Sequence, residues 1–575
     1  MPTADLIDHQ IIITGTSYRD KDACHTIPGS RYADGRWHCP VSWAAVKVIR
    51  TLWPDVRILS SLKDWIWTEY KCRIEPTLAV RAAALDPMQE MPIGIKGLYP
   101  YQTTGAHFLN LCHSGTLADD MGTGKCVQTI AMLEEYSMYP ALIVCPNTAK
   151  GTWKSEYTKW APGTNVQVIG GTATQRRKQI ATDADVYVIN YESLRTHTRL
   201  AGYGSIHLKD EEKELKELNG MVWEAVIADE AHRIVDPHAK QTRALWGVAA
   251  ADDCGGRPAC IALTGTPLVN SPDDLWAILH FEAPEEWPSK TKFLDRYCTL
   301  TYNQWGGMSV TGLNPHNAAE FYSLLEPRFL RRTKAMVNPW LPPKVYERMD
   351  VEMLPKQRKA YEDFRMDSLA ALDGGVSVAF DPLTILTRLI QLASSTLEVN
   401  EIGEVRLCAP SSKVDALIEL LSDMEHNEPL VVFAQSRQLL NLAHERLEKE
   451  GISHGMVWGN QSQFERQKAI DDFQAGQIRC ILCTLGAGSE AITLTAASTI
   501  CFMQRSWSMV TNRQSEDRVH RIGQSAESVT IIDLVAPGTV DDQILEAIQS
   551  KGDMLEQVVQ DREAVRRMLN VYTKL

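Results

Sequence analysis

Residues 118–125 read Ala-Asp-Asp-Met-Gly-Thr-Gly-Lys, and apolar residues at helical spacing follow them, beginning with Val127. Gly122 and Gly124 allow backbone N–H groups to close around phosphate oxygens, and the N-terminus of the following helix adds partial positive charge. The Lys125 ammonium can then reach the terminal phosphates of a nucleotide. This stretch predicts a phosphate-binding loop that joins a strand to a helix in an α/β fold.

A second motif, Asp229-Glu230-Ala231-His232, follows the apolar run Val226-Ile227-Ala228. Carboxylates that follow a buried parallel strand emerge at the carboxyl edge of the sheet, where α/β proteins bind their ligands. We expect Asp229 to hold Mg²⁺, directly or through water, and Glu230 to polarise the attacking water. Either motif alone could be an ordinary strand–helix junction, but their order and spacing favour hydrolysis of a nucleoside triphosphate.

Two residues depart from the strict phosphate-binding pattern. Asp119 stands where the first glycine is usual, and Cys126 replaces the Ser or Thr that follows the lysine. A thiol is a soft, poor ligand for a hard cation such as Mg²⁺. We therefore expect Cys126 to be a weak metal ligand at most, with water in its place, and the hydroxyls of Thr123 and Thr129 are candidates to help.

Composition places the chain among ordinary globular proteins. Its 575 residues are 44% apolar and 23% charged, which is too long a chain for one hydrophobic core. The net charge of −13 argues against a nonspecific basic nucleic-acid binder, although it does not exclude one basic groove. The apolar runs are too short for a membrane span, and 13 scattered cysteines fit a reducing compartment. We expect no membrane partner and a cytoplasmic location, in a prokaryotic cell or as a viral protein in its host.

Apolar strand candidates recur in two series and predict parallel sheets with helices on both faces. The first series is 142–144, 186–189, 226–228 and 261–263, and the second is 430–433, 455–457, 481–482, 499–502 and 529–532. The predicted segments are a small N-terminal α+β domain at 1–92, a first α/β lobe at 93–281, a mostly helical insertion or linker at 282–405, a second lobe at 406–545 and C-terminal helices at 546–575.

The motif series resembles the Swi/Snf family of superfamily 2 helicase-like DNA translocases over roughly residues 96–550. The most specific piece is Gln514-Ser515-Glu516-Asp517-Arg518-Val519-His520-Arg521-Ile522-Gly523-Gln524, which is similar to motif VI of that family. If these residues are helical, Arg518 and Arg521 share a face and could both act on the γ-phosphate as arginine fingers. The resemblance implies two RecA-like lobes that clasp ATP and Mg²⁺ between them.

The resemblance also assigns roles to single residues. Leu98-Tyr99-Pro100-Tyr101-Gln102 looks like the adenine-recognising start of the family, with Gln102 reading the base, and Asp229-Glu230-Ala231-His232 is its DEAH box. The nucleotide-binding set that we predict comprises Gln102, Met121, Gly122, Thr123, Gly124, Lys125, Cys126 and Gln514. The set predicted to contact DNA or to couple it to hydrolysis comprises Trp153, Tyr191, Thr264, Thr266 and Thr484.

The N-terminal segment resembles the HARP domain of annealing helicases. Ile27-Pro28-Gly29-Ser30-Arg31 and Arg36-Trp37-His38-Cys39-Pro40 carry this resemblance, which implies DNA rewinding and fork remodelling. The tryptophans concentrated before residue 70 have two interpretations. They form the core of a small domain, or they make aromatic contacts to DNA.

Together these patterns predict a DNA-dependent ATPase that translocates on duplex or forked DNA, with single-stranded DNA as a further candidate partner. Replication or repair proteins are candidate partners, and we expect a monomer. One alternative is ATP-driven displacement of proteins from DNA or RNA. A second is a nucleotide-dependent binding switch that hydrolyses ATP poorly because of Cys126; Glu230, Arg518 and Arg521 argue against it, because a switch does not need all three.

Overall fold

The chain folds into two units, each built on a parallel β-sheet of its own. This computed structural model describes residues 2–204, 206–250, 256–265, 272–302, 308–338, 340–373, 382–399, 405–459, 461–488 and 492–549. The first unit is Met1–Pro339 and the second is Trp340–Leu575. The predicted α/β fold with two parallel sheets and a small N-terminal α+β domain is confirmed.

The first unit has a seven-stranded sheet in which every neighbouring pair is parallel. In spatial order its strands are Phe329–Leu330, Gly115–Leu117, Ala259–Leu263, Ala225–Asp229, Ala141–Cys145, Val186–Asn190 and Val166–Val168. Its helices include Pro100–Cys112, Lys125–Glu135, Ala149–Trp160, Ala173–Ile180, Tyr191–His197, Asp210–Lys213, Lys240–Val248 and Pro272–Glu282. The central strands are buried along their whole length, because helices cover both faces.

The N-terminal domain is a five-stranded sheet with helices packed on it. Its strands, in spatial order, are Arg31–Ala33, Arg36–Pro40, Gln10–Thr14, Thr3–Ile7 and Arg57–Ile58. Its helices are Lys21–His25, Trp43–Leu52, Ser60–Glu69 and Glu75–Ala84, the last two joined by a π turn at Tyr70–Ile74. Trp37 is buried in its core, whereas Trp67 is exposed, so the two interpretations of the tryptophans apply to different residues.

Polar contacts fix this domain to the rest of the first unit. The Arg296 guanidinium donates to Thr26 Oγ1 at 2.9 Å, and Lys292 Nζ donates to the Ser30 carbonyl at 3.2 Å. Arg81 Nε donates to the Phe329 carbonyl at 3.1 Å. Because the domain shares these contacts, it is an integral part of the first unit, and point substitutions test its role better than deletion does.

The stretch predicted to be helical and irregular, 282–405, also supplies strands. It contains the helices Lys290–Tyr297, Ala318–Leu325, Lys334–Val337, Pro355–Asp373 and Pro382–Ser394 and the hairpin Cys298–Tyr302 with Met308–Leu313. Phe329–Leu330 joins the sheet of the first unit, and Lys344–Asp350 forms the edge of the second sheet. The sequence pattern hid these strands because one has only two residues and the other is largely exposed and polar.

The second unit has a six-stranded parallel sheet. Its strands, in spatial order, are Lys344–Asp350, Val529–Val535, Thr499–Phe502, Leu430–Ala434, Cys480–Thr484 and His454–Val457. Its later helices are Ser412–Asp423, Arg437–Lys449, Gln463–Gln474, Leu485–Gly488, Met509–Glu516 and Val540–Gln549, and Thr396–Val399 pairs with Val405–Cys408. The strands predicted in both series are present. The predicted C-terminal helices fall mostly on 550–575, outside the described residues, and the four boundaries between the predicted segments stay predictions.

Within the described ranges, no helix combines the length and the apolar character that a bilayer crossing requires.

A fully buried ion pair connects the phosphate-binding loop to the end of the first unit. Arg332 follows the strand Phe329–Leu330, and its Nη2 lies 2.6 Å from Asp119 Oδ2 while its Nε lies 3.1 Å from Asp119 Oδ1. Neither side chain is exposed to solvent. The same guanidinium donates to the carbonyls of Tyr101 and Ala84 and to Gln128 Oε1. Asp119 therefore occupies the usual glycine position because it anchors this pair.

We expect Arg332→Met to destabilise the first unit by about 3–5 kcal/mol, since it leaves the Asp119 carboxylate buried without its counter-charge. Urea unfolding followed by tryptophan fluorescence measures this change, because twelve of the 15 tryptophans lie in residues 1–339. Arg177→Ala is the control: it removes a largely exposed partner of Glu217 and should cost no more than about 1 kcal/mol. Equal effects of the two substitutions would contradict the anchoring role of Arg332.

Candidate nucleotide site

The phosphate-binding loop has the backbone geometry that its glycines allow. Gly122 and Gly124 have φ angles of 78° and 82°, in the left-handed region that side chains disfavour. The helix Lys125–Glu135 begins directly after Gly124, so its first N–H groups face the loop. A Cβ atom at Gly124 would lie 2.4 Å from Gln102 Nε2, so a larger residue would displace this amide as well as adopt a strained φ angle. Lys125 Nζ lies across the loop and donates to the Asp119 carbonyl at 2.8 Å.

Gln102 lies against this loop, as its predicted role requires. Its side chain is almost fully buried, Nε2 donates to the Thr123 carbonyl at 3.1 Å, and Oε1 accepts from Tyr99 N at 3.0 Å. The Tyr101 hydroxyl donates to the same Thr123 carbonyl at 2.8 Å. The start of the helix Pro100–Cys112 therefore holds the loop on the side of Gln102. Reading of the adenine base by Gln102 stays a prediction.

Asp229 ends the central strand Ala225–Asp229 and is held by three hydrogen bonds. Trp153 Nε1 donates to Asp229 Oδ2 at 2.8 Å, and the Glu230 N–H donates to Oδ1 at 3.0 Å. The Tyr191 hydroxyl donates to the Asp229 carbonyl oxygen at 2.7 Å. Burial, together with the neighbouring charge of Glu230, raises the pKa of Asp229 to about 6, and the Trp153 bond and Lys125 offset part of that rise.

Trp153 and Tyr191 were predicted to contact DNA or to couple it to hydrolysis. Both side chains are completely buried, and their polar atoms bond to Asp229. Because both side chains are enclosed, they leave no surface for a direct DNA contact, and their coupling role stays a prediction. Trp153 holds the Asp229 carboxylate and Tyr191 holds the Asp229 backbone carbonyl. The sequence did not reveal these contacts, because they require three separate segments to meet.

Glu230 adopts a backbone conformation that is rare for a residue with a side chain. Its φ angle is 53°, in the left-handed region, and it directly precedes the short 3₁₀ turn Ala231–Ile234. Such a conformation costs roughly 1–3 kcal/mol and is found mainly at functional sites. The His232 ring nitrogen Nδ1 lies 3.3 Å from Glu230 Oε2. The carboxylate thus projects from a strained backbone position, with the imidazole close to one of its oxygens.

Cys126 lies in the first turn of the helix Lys125–Glu135, next to the carboxylates. Burial, and then the charge of Asp229, raises the pKa of its thiol well above the ordinary value, so the sulfur stays protonated at neutral pH. A neutral thiol is an even poorer Mg²⁺ ligand than a thiolate. The two candidate hydroxyls donate to the backbone: Thr123 Oγ1 to the Asp120 carbonyl and Thr129 Oγ1 to the Lys125 carbonyl.

The predicted coupling motif that begins at Thr264 lies beside the loop. Thr264 is buried, and its N–H donates to the Leu117 carbonyl at 3.1 Å. Next to it, a Cβ atom at Gly265 would lie 2.3 Å from Met121 Cγ and 3.1 Å from Lys125 Nζ. Gly265 is thus in close contact with the phosphate-binding residues. Thr266 lies outside the described residues.

In the second unit, the helix of the predicted motif VI is shorter than the sequence suggested. It spans Met509–Glu516, so Gln514 is helical while Arg518 and Arg521 follow the helix in turns. The prediction that both arginines share one helical face is therefore wrong. Arg518 is buried and its carbonyl accepts from Leu494 N at 2.9 Å, while Arg521 Nη1 donates to Thr493 Oγ1 at 2.9 Å.

Arg505 organises this part of the second unit and was missed in the sequence. Its guanidinium lies 2.6 Å from Asp533 Oδ1 and 2.7 Å from Glu516 Oε1. Glu516 also pairs with Lys344 at 2.9 Å, which ties the end of the motif VI helix to the edge strand. No local pattern marks Arg505, because its partners are distant in the chain. Thr484 ends the strand Cys480–Thr484, and its predicted coupling role stays a prediction.

Comparison with known proteins identifies the families of two domains. The SNF2-related domain family matches residues 64–396, and the helicase conserved C-terminal domain family matches residues 412–523. The chain is 28% identical over 577 residues to Protein CHROMATIN REMODELING 5 of Arabidopsis thaliana, covering 93% of this chain and 32% of that protein. It is 29% identical over 502 residues to the putative ATP-dependent helicase/translocase YwqA of Bacillus subtilis, covering 84% of this chain and 51% of that protein.

Among solved structures, a similar one is the SWI2/SNF2 ATPase core of Sulfolobus solfataricus in complex with dsDNA. It is 25% identical, the match covers 84% of this chain and 98% of that one, and the TM-score is 0.38. The chain spans about a third to a half of the length of the curated relatives that it matches. Because the SNF2-related match alone covers more than half of the 575 residues and contains both the phosphate-binding loop and the Asp229–Glu230 pair, the chain belongs to the SNF2-related family, and it carries the helicase C-terminal domain as well.

Proposed function

We propose that this chain hydrolyses ATP and uses the energy to translocate along duplex or forked DNA. The observation that carries the proposal is the buried Asp229 carboxylate at the end of the central strand, next to Glu230, whose charge raises the Asp229 pKa while Lys125 of the phosphate-binding loop lowers it. Buried carboxylates with a raised pKa beside a lysine are typical of a catalytic site. Relatives whose names include helicase, translocase and chromatin remodelling support a motor that acts on DNA.

Different residues of the first unit have different roles in the hydrolysis. The loop N–H groups and the Lys125 ammonium hold the phosphates, and Lys125 exchanges its bonds to backbone carbonyls for bonds to phosphate oxygens. Glu230 orients the attacking water and accepts its proton as the water oxygen bonds to the γ-phosphorus. The bond from that phosphorus to the bridging oxygen breaks, and its electron pair leaves with the oxygen of ADP. The left-handed backbone at Glu230 and the nearby His232 lie where this carboxylate would meet the water.

The family implies Mg²⁺, and the residues present fit it. Burial and the charge of Glu230 disfavour the ionised form of Asp229, so a cation close to this carboxylate would offset an unfavourable charge. Mg²⁺ usually takes one or two protein carboxylates, phosphate oxygens and water. This agrees with the absence, among the described residues, of any group of three His, Cys, Asp or Glu side chains that could hold a metal. Bound there, Mg²⁺ would neutralise charge on the phosphates.

Several finer assignments stay predictions. They are the action of Arg518 and Arg521 on the γ-phosphate, the role of Gln514, the annealing activity implied by the HARP resemblance, the monomeric state and the cytoplasmic location. Displacement of proteins from DNA or RNA is an alternative task for the same motor. The switch alternative is disfavoured, because a protein that only binds ATP has no need of the strained Glu230 backbone.

The first prediction of this proposed function concerns the activity itself. We expect ATP hydrolysis to be stimulated by duplex or forked DNA more than by RNA, as measured by phosphate release with each nucleic acid side by side. Glu230→Gln should keep ATP binding but lose at least about 10²-fold in kcat, because the amide cannot accept the proton. Glu326→Gln, at an exposed site of the same unit, is the matched control. Stimulation by RNA alone, or normal turnover of Glu230→Gln, would refute the proposal.

A second prediction follows from the raised pKa of Asp229. The folded-state pKa of about 6 lies above the ordinary value of 3.8, so ionised Asp229 reduces stability increasingly as the pH rises through this interval. Without nucleotide and Mg²⁺, the free energy of unfolding of Asp229→Asn relative to the unmodified protein should rise by about 1 kcal/mol between pH 5 and pH 7.5. Asp183→Asn, at an exposed carboxylate, should show no such rise. A relative stability that is independent of pH would contradict the assigned pKa.

The third prediction concerns Cys126. Cys126→Thr should lower the Mg²⁺ concentration needed for half-maximal ATPase, because a hydroxyl is a better ligand for a hard cation than a neutral thiol. Titration of Mg²⁺ at saturating ATP measures the effect. Cys72→Thr, at an exposed cysteine, should leave the Mg²⁺ requirement unchanged. An unchanged or higher requirement in Cys126→Thr would mean that the neighbouring residues already compensate for the thiol.

A further inference from the structure

A pocket lies on the N-terminal domain. It has a volume of about 360 Å³ and is lined by Ser17, Tyr18, Lys21, His25, Tyr32 and Trp37. These residues come from the turn at 16–20, from the helix Lys21–His25 and from the hairpin that begins at Arg31. Every position belongs to the same domain, and none takes part in the nucleotide site.

The rings in this pocket are arranged as a floor and an exposed rim. Tyr32 and Trp37 face each other across the hairpin, with ring centroids 5.2 Å apart. His25 packs edge-on against Trp37 at 4.8 Å. Trp37 is only 4% exposed and belongs to the domain core, whereas Tyr32 is 61% exposed and Tyr18 is 87% exposed. The core therefore fixes Trp37 and its ring contact to Tyr32, and leaves the tyrosine rings open to solvent.

Local hydrogen bonds hold the backbone that carries Tyr18. The Ser17 N–H and its hydroxyl both donate to Asp20 Oδ2 at 2.7 Å, which closes the short 3₁₀ turn Tyr18–Asp20. Lys21 Nζ lies 5.9 Å from the centre of the Tyr18 ring, so an ammonium accompanies the exposed aromatic. Tyr18 therefore lies on a turn that is closed by local hydrogen bonds, with its ring in solvent rather than in the domain core.

The charge around the pocket indicates how a ligand would be held. Residues 16–38 contain four Lys or Arg and three Asp, in a chain whose net charge is −13. Phosphate neutralisation alone would therefore give little affinity here. Flat rings with a single ammonium beside them match a nucleobase with one adjacent phosphate, because every base can stack on an aromatic side chain.

We propose that this pocket binds an unstacked nucleobase of single-stranded DNA, which stacks on Tyr18 and Tyr32 while Lys21 contacts the neighbouring phosphate. The choice of DNA as the source of the base rests on the proposed function. Bases in a duplex are stacked on each other and cannot enter, so the site distinguishes an exposed single strand from the duplex. The N-terminal domain would thus bind the single-stranded part of a DNA junction.

Equilibrium binding of labelled ten-nucleotide oligomers to the full chain, without ATP, tests this proposal. We expect Tyr18→Ala and Tyr32→Ala each to weaken binding of oligothymidine about tenfold, as is usual for loss of one stacking ring. An abasic oligomer with the same phosphates should bind the unmodified protein at least about tenfold more weakly than oligothymidine, for the same reason. Duplex binding should be the same in all variants.

Tyr322→Ala removes a half-exposed tyrosine from another part of the first unit and is the matched control. It should bind oligothymidine as the unmodified protein does. Basal ATPase without DNA should be unchanged in Tyr18→Ala and Tyr32→Ala, which shows that they fold. If both variants bind oligothymidine normally, or if the abasic oligomer binds equally well, the proposal is wrong. Thymidine monophosphate that competes at equal concentration would identify a free-nucleotide site and overturn it too.

Salt dependence gives an independent measurement. A contact between Lys21 and one phosphate of a single strand contributes about 0.7 to the slope of log affinity against log salt concentration. Lys21→Gln should reduce the slope for oligothymidine by about this amount and leave the slope for duplex unchanged. An unchanged slope for oligothymidine would remove Lys21 from the site. These measurements do not use hydrolysis, so failure of the DNA-stimulated ATPase and failure of the base pocket are distinguishable.

Discussion

The buried pair of Arg332 and Asp119 is the interaction on which the nucleotide site depends. Taking two charges out of water is costly, and the cost is offset here because the guanidinium also bonds to two carbonyls and to Gln128. Asp119 begins the phosphate-binding loop, and Arg332 follows a strand more than two hundred residues later. The loop is therefore held by the segment that follows Phe329–Leu330, the strand at one edge of the sheet. This explains why a residue that ordinarily disqualifies a phosphate-binding motif is compatible with it here.

The Asp229 and Glu230 site, unlike the Arg332–Asp119 pair, contains interactions that reduce the stability of the fold. The carboxylate of Asp229 is buried beside another carboxylate, and its pKa is raised because the fold disfavours its charge. The Glu230 backbone lies in a conformation that side chains avoid. Trp153 and Tyr191 compensate by hydrogen bonds from the buried side of the strand. The unfavourable charge of Asp229 and the backbone strain of Glu230 lie at adjacent residues. Such a concentration of unfavourable features is typical of active sites.

Outside the nucleotide site, charged networks fix the positions of the other motifs. Arg505 joins Glu516 and Asp533 in the second unit, so the end of the motif VI helix is tied to the sheet rather than left as a solvated surface. The N-terminal domain is bound to the first unit through Thr26 and Ser30, yet it keeps Tyr18 and Tyr32 exposed. A domain that is hydrogen-bonded to the rest of the first unit and still presents aromatic rings is suited to recognising a ligand.

The sequence by itself determined the parallel sheets, the phosphate-binding loop and the carboxylate pair, because these depend on local patterns. Apolar runs predict buried strands, and the spacing of Gly122, Gly124 and Lys125 is a local pattern that predicts the loop. Tertiary structure alone decided which distant side chains contact these motifs. Asp119 is paired with Arg332, and Asp229 accepts a hydrogen bond from Trp153. Both partners are distant in the chain, so no local sequence pattern predicts these contacts. It also decided that the motif VI helix ends at Glu516, because long-range ion pairs and the turn that follows outweigh local helical propensity.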